Sequence, residues 1–230
     1  MKADFTAAEE QIRRVLAWRA AEDFASDDAD VLNVRTELGL AVLDQHRHVD
    51  ALGIFESLLA PMEKTLGPAH AQTLMVMRCT VRCLVGLAAG DPTSSHATAA
   101  VDIARSCLQR SEDNHGVKGT EAVASVAVLS DALIAVGLQE EAERLLQAKM
   151  SQCESDRDGL TTEVADLALK LGQFHSSITQ RPSLARSFSE RAVRVYGNVL
   201  SPRHPKTRHA QSFHNILMKA GNEDEKGPEG

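Results

Sequence analysis

Apolar residues recur at intervals of three and four along almost the whole chain, and no segment alternates strictly between apolar and polar residues as a half-buried strand does. The periodic segments are rich in Ala, Leu, Glu, Gln and Arg, which favour helices. The pattern therefore predicts an all-α protein, with helices over residues 6–25, 31–43, 49–66, 74–87, 97–110, 121–136, 139–153, 161–174, 182–200 and 204–220.

Two of the turns between these helices have similar sequences, Leu-Gly-Pro-Ala-His-Ala-Gln-Thr at 66–73 and Leu-Ser-Pro-Arg-His-Pro-Lys-Thr at 200–207. In the first turn, Gly67 tolerates a positive φ beyond the helix end, and Pro68 prevents the helix from continuing. In the second turn, Pro205 suits the first helical position, which needs no N–H donor. A turn that occurs twice indicates internal repeats.

The same ladder of small and apolar positions recurs with a period of 42 to 47 residues. The five units begin at Val31, Thr73, Thr120, Thr162 and Thr207. The ladder of the first unit consists of Leu38, Gly39, Ala51 and Phe55. Because the spacing survives inside each unit, we attribute the variable period to loops.

This ladder resembles the tetratricopeptide repeat (TPR), a helix–turn–helix unit with small and aromatic residues at fixed offsets. The Leu-Gly-Pro-x-His-x-x-Thr turn and the period near 42 resemble the longer repeats of kinesin light chains. The resemblance implies a right-handed superhelical α-solenoid of antiparallel helix pairs, about four pairs with cap helices. The sequence departs from the family pattern at four ladder positions, Thr80, Ser130, Ser189 and His214.

The helical pattern and the resemblance predict three parts: an N-terminal capping helix within 1–27, a repeat domain over 28–220 and a disordered acidic tail over 221–230. In a repeat array each unit buries its apolar face only against its neighbours. The last helix should therefore close the array, and Ile216 and Leu217 should supply much of that burial.

Two single residues leave alternatives open. Pro61 lies inside the predicted helix 49–66, so that helix either kinks at the proline or breaks near Leu59. Trp18 lies off the centre of the apolar stripe of the first helix. It serves either to pack the capping helix or to anchor a binding partner.

The net charge of −7 comes from the ends of the chain, −4 from residues 1–30 and −3 from residues 221–230, so the middle is balanced. A balanced middle does not favour nucleic-acid binding. No apolar run reaches the roughly 18 residues that span a bilayer, and the N-terminus lacks a signal-peptide pattern. Four cysteines without a paired framework indicate a cytoplasmic protein.

Cys79 and Cys83 lie one turn apart on a predicted helix, next to Arg78 and Arg82. Neighbouring arginines lower the pKa of a thiol, so one hypothesis is a redox role. The alternative is that these cysteines simply fill small buried sites between repeat helices.

No motif for catalysis or phosphate binding is present, and no cofactor is implied. Asp131 and Asp166 could form an acid–base pair, but neither has a nucleophile or metal motif beside it. His46 and His48 form a His-x-His pair in a loop, which is either a metal site or a solvated turn. We therefore predict a non-enzymatic protein.

The resemblance implies that the first helix of each pair, the A helix, lines a concave groove that binds a peptide or a partner segment. The residues expected on that side are Asn33, Thr36, Leu40, Asp44, Met75, Arg78, Arg82, Val85, Ala124, Ala127, Asp131, Asp166, Gln173 and His209. The predicted function is a protein-interaction module or scaffold without nucleic-acid or membrane partners. The alternatives are a self-associating subunit that dimerises through its repeat ends and, thirdly, an enzyme with an unrecognised site.

Arg78 and Arg82 are one helical turn apart, so their guanidinium groups can converge on one carboxylate or phosphate. Leu40 and Met75 would add apolar contacts, which suits an acidic peptide partner. An equally open alternative is that the two arginines pair with Asp44 and Asp131 on neighbouring helices.

Overall fold

A computed structural model describes residues 5–21, 27–89, 91–154 and 160–224. In these ranges all regular secondary structure is helical, which confirms the predicted all-α class. The ten helices are α1 Phe5–Ala21, α2 Ala29–Asp44, α3 His48–Thr65, α4 Ala71–Leu87, α5 Ser95–His115, α6 Thr120–Ala135, α7 Gln139–Glu154, α8 Thr162–Ser177, α9 Pro182–Val199 and α10 Pro205–Asp224.

The chain divides into two compact units, Met1–Gly116 with Asp131–Leu138 and Val117–Ser130 with Gln139–Gly230. In the first unit α1 packs on α2, α2 on α3, α3 on α4 and α4 on α5, and α2 also contacts α4. In the second unit α7 packs on α8, α8 on α9 and α9 on α10. Within each unit, the consecutive helices that contact each other pack antiparallel, as expected for helix pairs joined by short turns.

Small residues allow close contact within the helix pairs. A Cβ atom placed on Gly39 of α2 would lie 2.6 Å from the ring of Phe55 in α3, so the aromatic ring fills the space above the glycine. In α8, a Cβ atom on Gly172 would lie 3.3 Å from the carbonyl oxygen of Ala185 and from the amide nitrogen of Ser189. The ladder positions predicted from the sequence thus lie at helix–helix contacts.

The three hydroxyl side chains at the atypical ladder positions, those of Thr80, Ser130 and Ser189, are buried but hydrogen-bonded. The hydroxyl of Thr80 donates to the carbonyl of Val76, one turn earlier, at 3.0 Å. Ser189 forms a 2.8 Å hydrogen bond with Nδ1 of His214, which links α9 to α10. Because a buried hydroxyl is costly only when it is unpaired, these departures from the family pattern are compatible with the fold.

Both proline-containing turns use a histidine to cap the following helix. Nδ1 of His70 accepts a hydrogen bond from the backbone N–H of Gln72 at 3.3 Å, and Nδ1 of His204 accepts one from Lys206 at 3.2 Å. Here imidazole takes the role that Ser, Thr, Asp or Asn usually has at the N-cap. Gly67 has a φ of 103°, the left-handed conformation predicted for it.

Glu9 attaches α1 to the turn between α2 and α3. Its carboxylate accepts hydrogen bonds at 2.8 Å from Arg13, from Gln45 and from Arg47. The hydrogen bonds from Gln45 and Arg13, together with the charges of Arg47 and Arg13, lower the pKa of Glu9. Leu16 adds apolar packing against the core of the first unit, as expected of a capping helix.

The structure bears on both alternatives that single residues left open. Of the two alternatives for Pro61, the break near Leu59 is wrong: α3 continues through Pro61 to Thr65, and Leu58 and Met62 on either side of the proline are fully buried. Trp18 is 57% exposed, which disfavours the alternative in which it mainly packs the capping helix.

The C-terminal helix also differs from the expectation. Ile216 is 61% exposed, whereas Thr207 and Ala210 of α10 are buried, so Ile216 does not close the array. The helix passes Gly221 and ends at Asp224. Residues 22–25 of the predicted first helix and residues 225–230 of the predicted tail lie outside the described residues.

Candidate functional site

The A helix α4 is buried on every side but one. Between Thr73 and Leu84 every residue is buried except Met75, Arg78 and Arg82. These three are the fifth, eighth and twelfth residues after the N-cap His70. That spacing places them along one line of the helix surface, which we call the open stripe.

The same register recurs in the other A helices. In α8 the fifth, eighth and twelfth residues after the N-cap Thr161 are partly exposed between buried neighbours. The partly exposed residues at these positions are Ala124, Ala127 and Asp131 in α6 and Asp166, Leu169 and Gln173 in α8. In α10 the corresponding fifth and twelfth positions are His209 and Ile216. Ile216 thus lies at the position that Arg82 has in α4.

The helix α2 follows the register with one exception. Asn33 and Leu40 are partly exposed and Asp44 is exposed, but Thr36 is only 2% exposed. The hydroxyl of Thr36 donates to the carbonyl of Leu32 at 2.9 Å, one turn earlier in the same helix. Its assignment to a binding surface was wrong, since it does not reach the surface.

Glu37 is the exposed residue that the sequence analysis missed in α2. It lies four residues after Asn33 and three before Leu40, so it belongs to the same exposed side. Its acidic side chain between two candidate residues was the signal that could have found it. In α8, Leu169 was missed although it lies three residues after Asp166, and Lys170 beside it is also partly exposed.

Charged groups from α2 and α4 come together around the thiol of Cys79. Burial raises the pKa of Cys79, Arg82 and Arg78 lower it, and the carboxylate of Asp44 raises it. All three charges act on one thiol, so each of them lies within electrostatic range of Cys79. Leu40 and Met75 pack from the same two helices against one core cluster. The first unit thus brings together apolar, basic and acidic candidates.

The cysteines of α4 are buried, and their burial decides their chemistry. Desolvation raises the pKa of Cys79 despite its two arginine neighbours, and it raises the pKa of Cys83 to about 12. Both thiols are therefore protonated at neutral pH and poorly nucleophilic. The burial of Cys79 and Cys83 confirms that they fill small buried sites, and their raised pKa argues against a redox role.

Asp166 of α8 is held inside the second unit. The hydroxyl of Tyr196 in α9 donates a short hydrogen bond to its Oδ1, and Nζ of Lys206 in α10 contacts both carboxylate oxygens at 2.9 Å. Burial, and the hydrogen bond to Asp166, raise the pKa of Tyr196. Asp166 therefore joins three helices, which argues against its use as a free acid or base.

The remaining candidates for chemistry stay apart. The rings of His46 and His48 contact each other edge-on, with centroids 6.1 Å apart. Within the described ranges, no three His, Cys, Asp or Glu side chains converge in a way that could hold a metal ion. None of the helices in those ranges is both long enough and apolar enough to span a bilayer.

No protein-family model and no curated protein match the sequence. The structure matches a single-substitution variant of a candidate kinesin light chain from Podosopora anserina with nearly identical TPR-like repeats. The TM-score is 0.64 at 20% identity, over 84% of this chain and 87% of that chain. Another crystal structure of the same Podosopora anserina repeats gives a TM-score of 0.62 at 20% identity, over 84% and 88%.

BtubC (BKLC) from P. vanneervenii matches with a TM-score of 0.52 at 16% identity, over 96% of this chain and 82% of that chain. At these identities the similarity establishes the fold alone. The chain has the TPR-like repeat fold, and the resemblance to kinesin light chain repeats that the sequence suggested is confirmed at that level.

Proposed function

We propose that this protein is a non-enzymatic interaction module that binds a peptide or an extended partner segment. The binding surface is the open stripe of α4 together with Asn33, Leu40 and Asp44 of α2. One observation carries the proposal: the stripe of Met75, Arg78 and Arg82 is the only part of α4 between Thr73 and Leu84 that is not buried. A partner that contacts α4 along this length must do so through these side chains.

The side chains of the two stripes favour an acidic partner with apolar residues. Arg78 and Arg82 lie one turn apart. Both guanidinium groups can therefore donate hydrogen bonds to one carboxylate, or each can bind one of two neighbouring carboxylates. Leu40 and Met75 are partly buried and offer apolar contact beside the charges. Asp44 adds a negative charge within electrostatic range of Cys79, so we expect this side of the first unit to bind best the partners that bring more than one negative charge.

The fold supports an interaction role rather than catalysis. TPR-like repeats are in general non-catalytic arrays whose A helices serve as surfaces for other proteins. The second candidate function is self-association through the end helices. It is favoured by the exposed apolar residues Val15 and Trp18 on α1 and Ile216 and Met218 on α10. Sedimentation velocity over a hundredfold range of protein concentration separates the two candidates, since only self-association makes the mass concentration-dependent.

The test of the interaction role is a variant with Arg78→Ala and Arg82→Ala. Peptides selected by the wild-type protein from a randomised display library should be rich in Asp and Glu, and the double variant should lose them while its melting temperature is retained. The matched control carries Arg194→Ala and Arg208→Ala, which removes two exposed arginines from α9 and α10. If the first variant binds the selected peptides as tightly as the control does, the site assignment is wrong.

A further inference from the structure

Three of the turns that follow an A helix are fixed in the same way. In each, the backbone N–H of the last residue of the turn donates to the carbonyl of a buried residue near the end of the A helix, and the residue before the donor has a positive φ. The pairs, with the donor first, are Arg47 and Val42 at 3.3 Å, Leu138 and Leu133 at 2.9 Å, and Arg181 and His175 at 2.8 Å. Val42 and Leu133 are apolar, so of these three acceptor residues only His175 has a side chain that can gain a proton.

The α8–α9 turn, which we define as residues 178–181, is built around the side chain of His175. That side chain is fully buried, its ring stacks on Phe188 of α9, and its Nδ1 lies 3.1 Å from the hydroxyl of Thr179. Its Nε2 is buried as well and forms no hydrogen bond with any residue that the structure describes. Gln180 in the same turn has a φ of 52°, which a residue with a side chain rarely adopts, so the surrounding contacts must hold the turn in place.

The carboxylate of Glu143 in α7 lies between two basic groups, one with a permanent charge and one whose charge depends on pH. Its Oε1 is 3.8 Å from Nη1 of Arg181 and 3.8 Å from Nε2 of His175. While His175 is neutral, Arg181 is the cation that this carboxylate contacts. The side chain of Arg181 is 56% exposed and that of His175 is 0% exposed. Because water screens the exposed ion pair more, protonated His175 is the stronger partner for Glu143.

We propose that the α8–α9 turn is a pH-sensitive element of the fold: when His175 gains a proton, the carboxylate of Glu143 moves from Arg181 to Nε2 of His175, and the turn loosens. Imidazolium has an N–H donor on both nitrogens, so protonation gives Nε2 the hydrogen bond it lacks and removes the ion pair that holds Arg181. Burial lowers the pKa of His175, Glu143 opposes that shift and Arg181 adds to it, so the proton is taken up below the ordinary value of 6.5. These are the two charged groups that act on the ring, and α9 faces it with the uncharged ring of Phe188. None of these residues belongs to the binding surface proposed above.

Amide hydrogen exchange of the full chain, detected by NMR, measures the loosening turn by turn. Between about pH 7.5 and about pH 5, the protection factor of the Arg181 amide should fall at least about tenfold, because its hydrogen bond to His175 opens. The amides of Arg47 and Leu138, in the turns with apolar acceptors, should keep their protection. The amide of Leu171 in the middle of α8 reports on opening of the whole helix and should keep its protection too. Unchanged protection at Arg181, or an equal loss at Leu171, would overturn the proposal.

Variants identify the groups that act. Glu143→Gln removes the carboxylate that pairs with the imidazolium, so NMR should show the His175 ring titrating at a pH about one unit lower. Arg181→Gln removes the competing cation, and the ring should titrate at a higher pH. The control Glu140→Gln removes an exposed carboxylate from the same helix and should leave the titration unchanged. If the ring titrates at the same pH in Glu143→Gln and in the control, the carboxylate does not change partners and the proposal is wrong. If Glu143→Gln proves unfolded by circular dichroism, Arg181→Gln and the amide exchange of the wild-type chain still decide.

Discussion

The helices α4 and α8 are the A helices of two repeats. In both, the fifth, eighth and twelfth residues after the N-cap reach the surface, but the side chains at these positions have different surroundings. At the fifth position α4 has Met75 and α8 has Asp166; at the twelfth, α4 has Arg82 and α8 has Gln173. In α4 the charge of Arg82 is exposed, whereas in α8 the charge of Asp166 is bound by neighbouring helices. The position of a residue in the helix decides whether it reaches the surface. The side chains of adjacent helices decide whether its charge is available to bind a partner.

A second difference lies deeper in the two helices. At the fourteenth position after the N-cap, α4 has the apolar Leu84 and α8 has His175, and both are buried. His175 stacks on the ring of Phe188, and its Nδ1 lies 3.1 Å from the hydroxyl of Thr179. The second unit therefore has a titratable side chain where the first unit has a hydrocarbon side chain. At this position, only the second unit should lose stability when the pH falls.

The largest loss of stability should come from removing the hydroxyl of Tyr196, which donates a hydrogen bond to Asp166. Tyr196→Phe removes the donor of a hydrogen bond to a carboxylate, which should lower the free energy of unfolding by about 1.5–3 kcal/mol. Urea denaturation measures it. Gln173→Ala changes the same stripe of α8 without touching Asp166, and it should stay within about 0.5 kcal/mol of wild type. Equal stability of the two variants would show that the Tyr196–Asp166 contact is not a stabilising link.

Gly172→Val tests the difference in packing between α8 and α4 at the eleventh residue after the N-cap. The eleventh position after the N-cap is Gly172 in α8 but the fully buried Val81 in α4. Because backbone atoms of α9 lie 3.3 Å from a Cβ at Gly172, the larger side chain should destabilise the protein by about 1–3 kcal/mol. Gly53→Ala on α3, where a Cβ meets no atom within 4 Å, should instead stabilise by about 0.5–1 kcal/mol. Thermal and urea midpoints that shift in the same direction for both variants would contradict this.

His175→Leu should remove part of the acid sensitivity. Burial lowers the pKa of His175 below its value of 6.5, although the carboxylate of Glu143, 3.8 Å from Nε2, opposes the shift and Arg181 adds to it. Below pH 6.5 the unfolded chain therefore binds a proton that the folded protein resists, and stability falls as the pH falls towards the folded pKa. At higher pH both states are neutral and this group has no effect.

The measurement for His175→Leu is the urea midpoint from about pH 7.5 to about pH 5, an interval that brackets the ordinary histidine pKa. Wild type should lose more stability than the variant over that interval, and the two curves should run parallel at its upper end. The control Leu84→Met in α4 keeps the apolar character and should follow the wild-type pH dependence. A variant curve as steep as that of wild type would exclude His175 as the source.

The smallest effect on stability should come from the α4 stripe itself. Arg78→Ala with Arg82→Ala removes side chains at the surface, so the melting temperature should change little while binding of acidic peptides is lost. Fluorescence anisotropy with the selected peptides measures the loss. A strong fall in stability would instead favour the alternative in which the arginines mainly bind Asp44 and Asp131 within the protein.

Much of the fold could be predicted because its signals are local. The helix bounds agree within a few residues, since the periodicity of apolar residues and the turn residues Gly67, Pro68 and Pro205 act over one or two turns of chain. The exposure of Met75, Arg78 and Arg82 could be predicted in the same way, because a helix whose other sides are buried exposes one line of residues. The N-cap role of His70 was missed, since histidine is not among the usual capping residues.

The sequence by itself determined the helices, their repeat and most of the exposed positions of the A helices, all of which depend on residues within one repeat. Only the tertiary structure decided that Asp166 is bound by Tyr196 and Lys206 and that burial outweighs the arginines at Cys79. These depend on side chains that are distant in the chain and close in space. Desolvation and charge pairing act over such short distances that no pattern within one helix contains them.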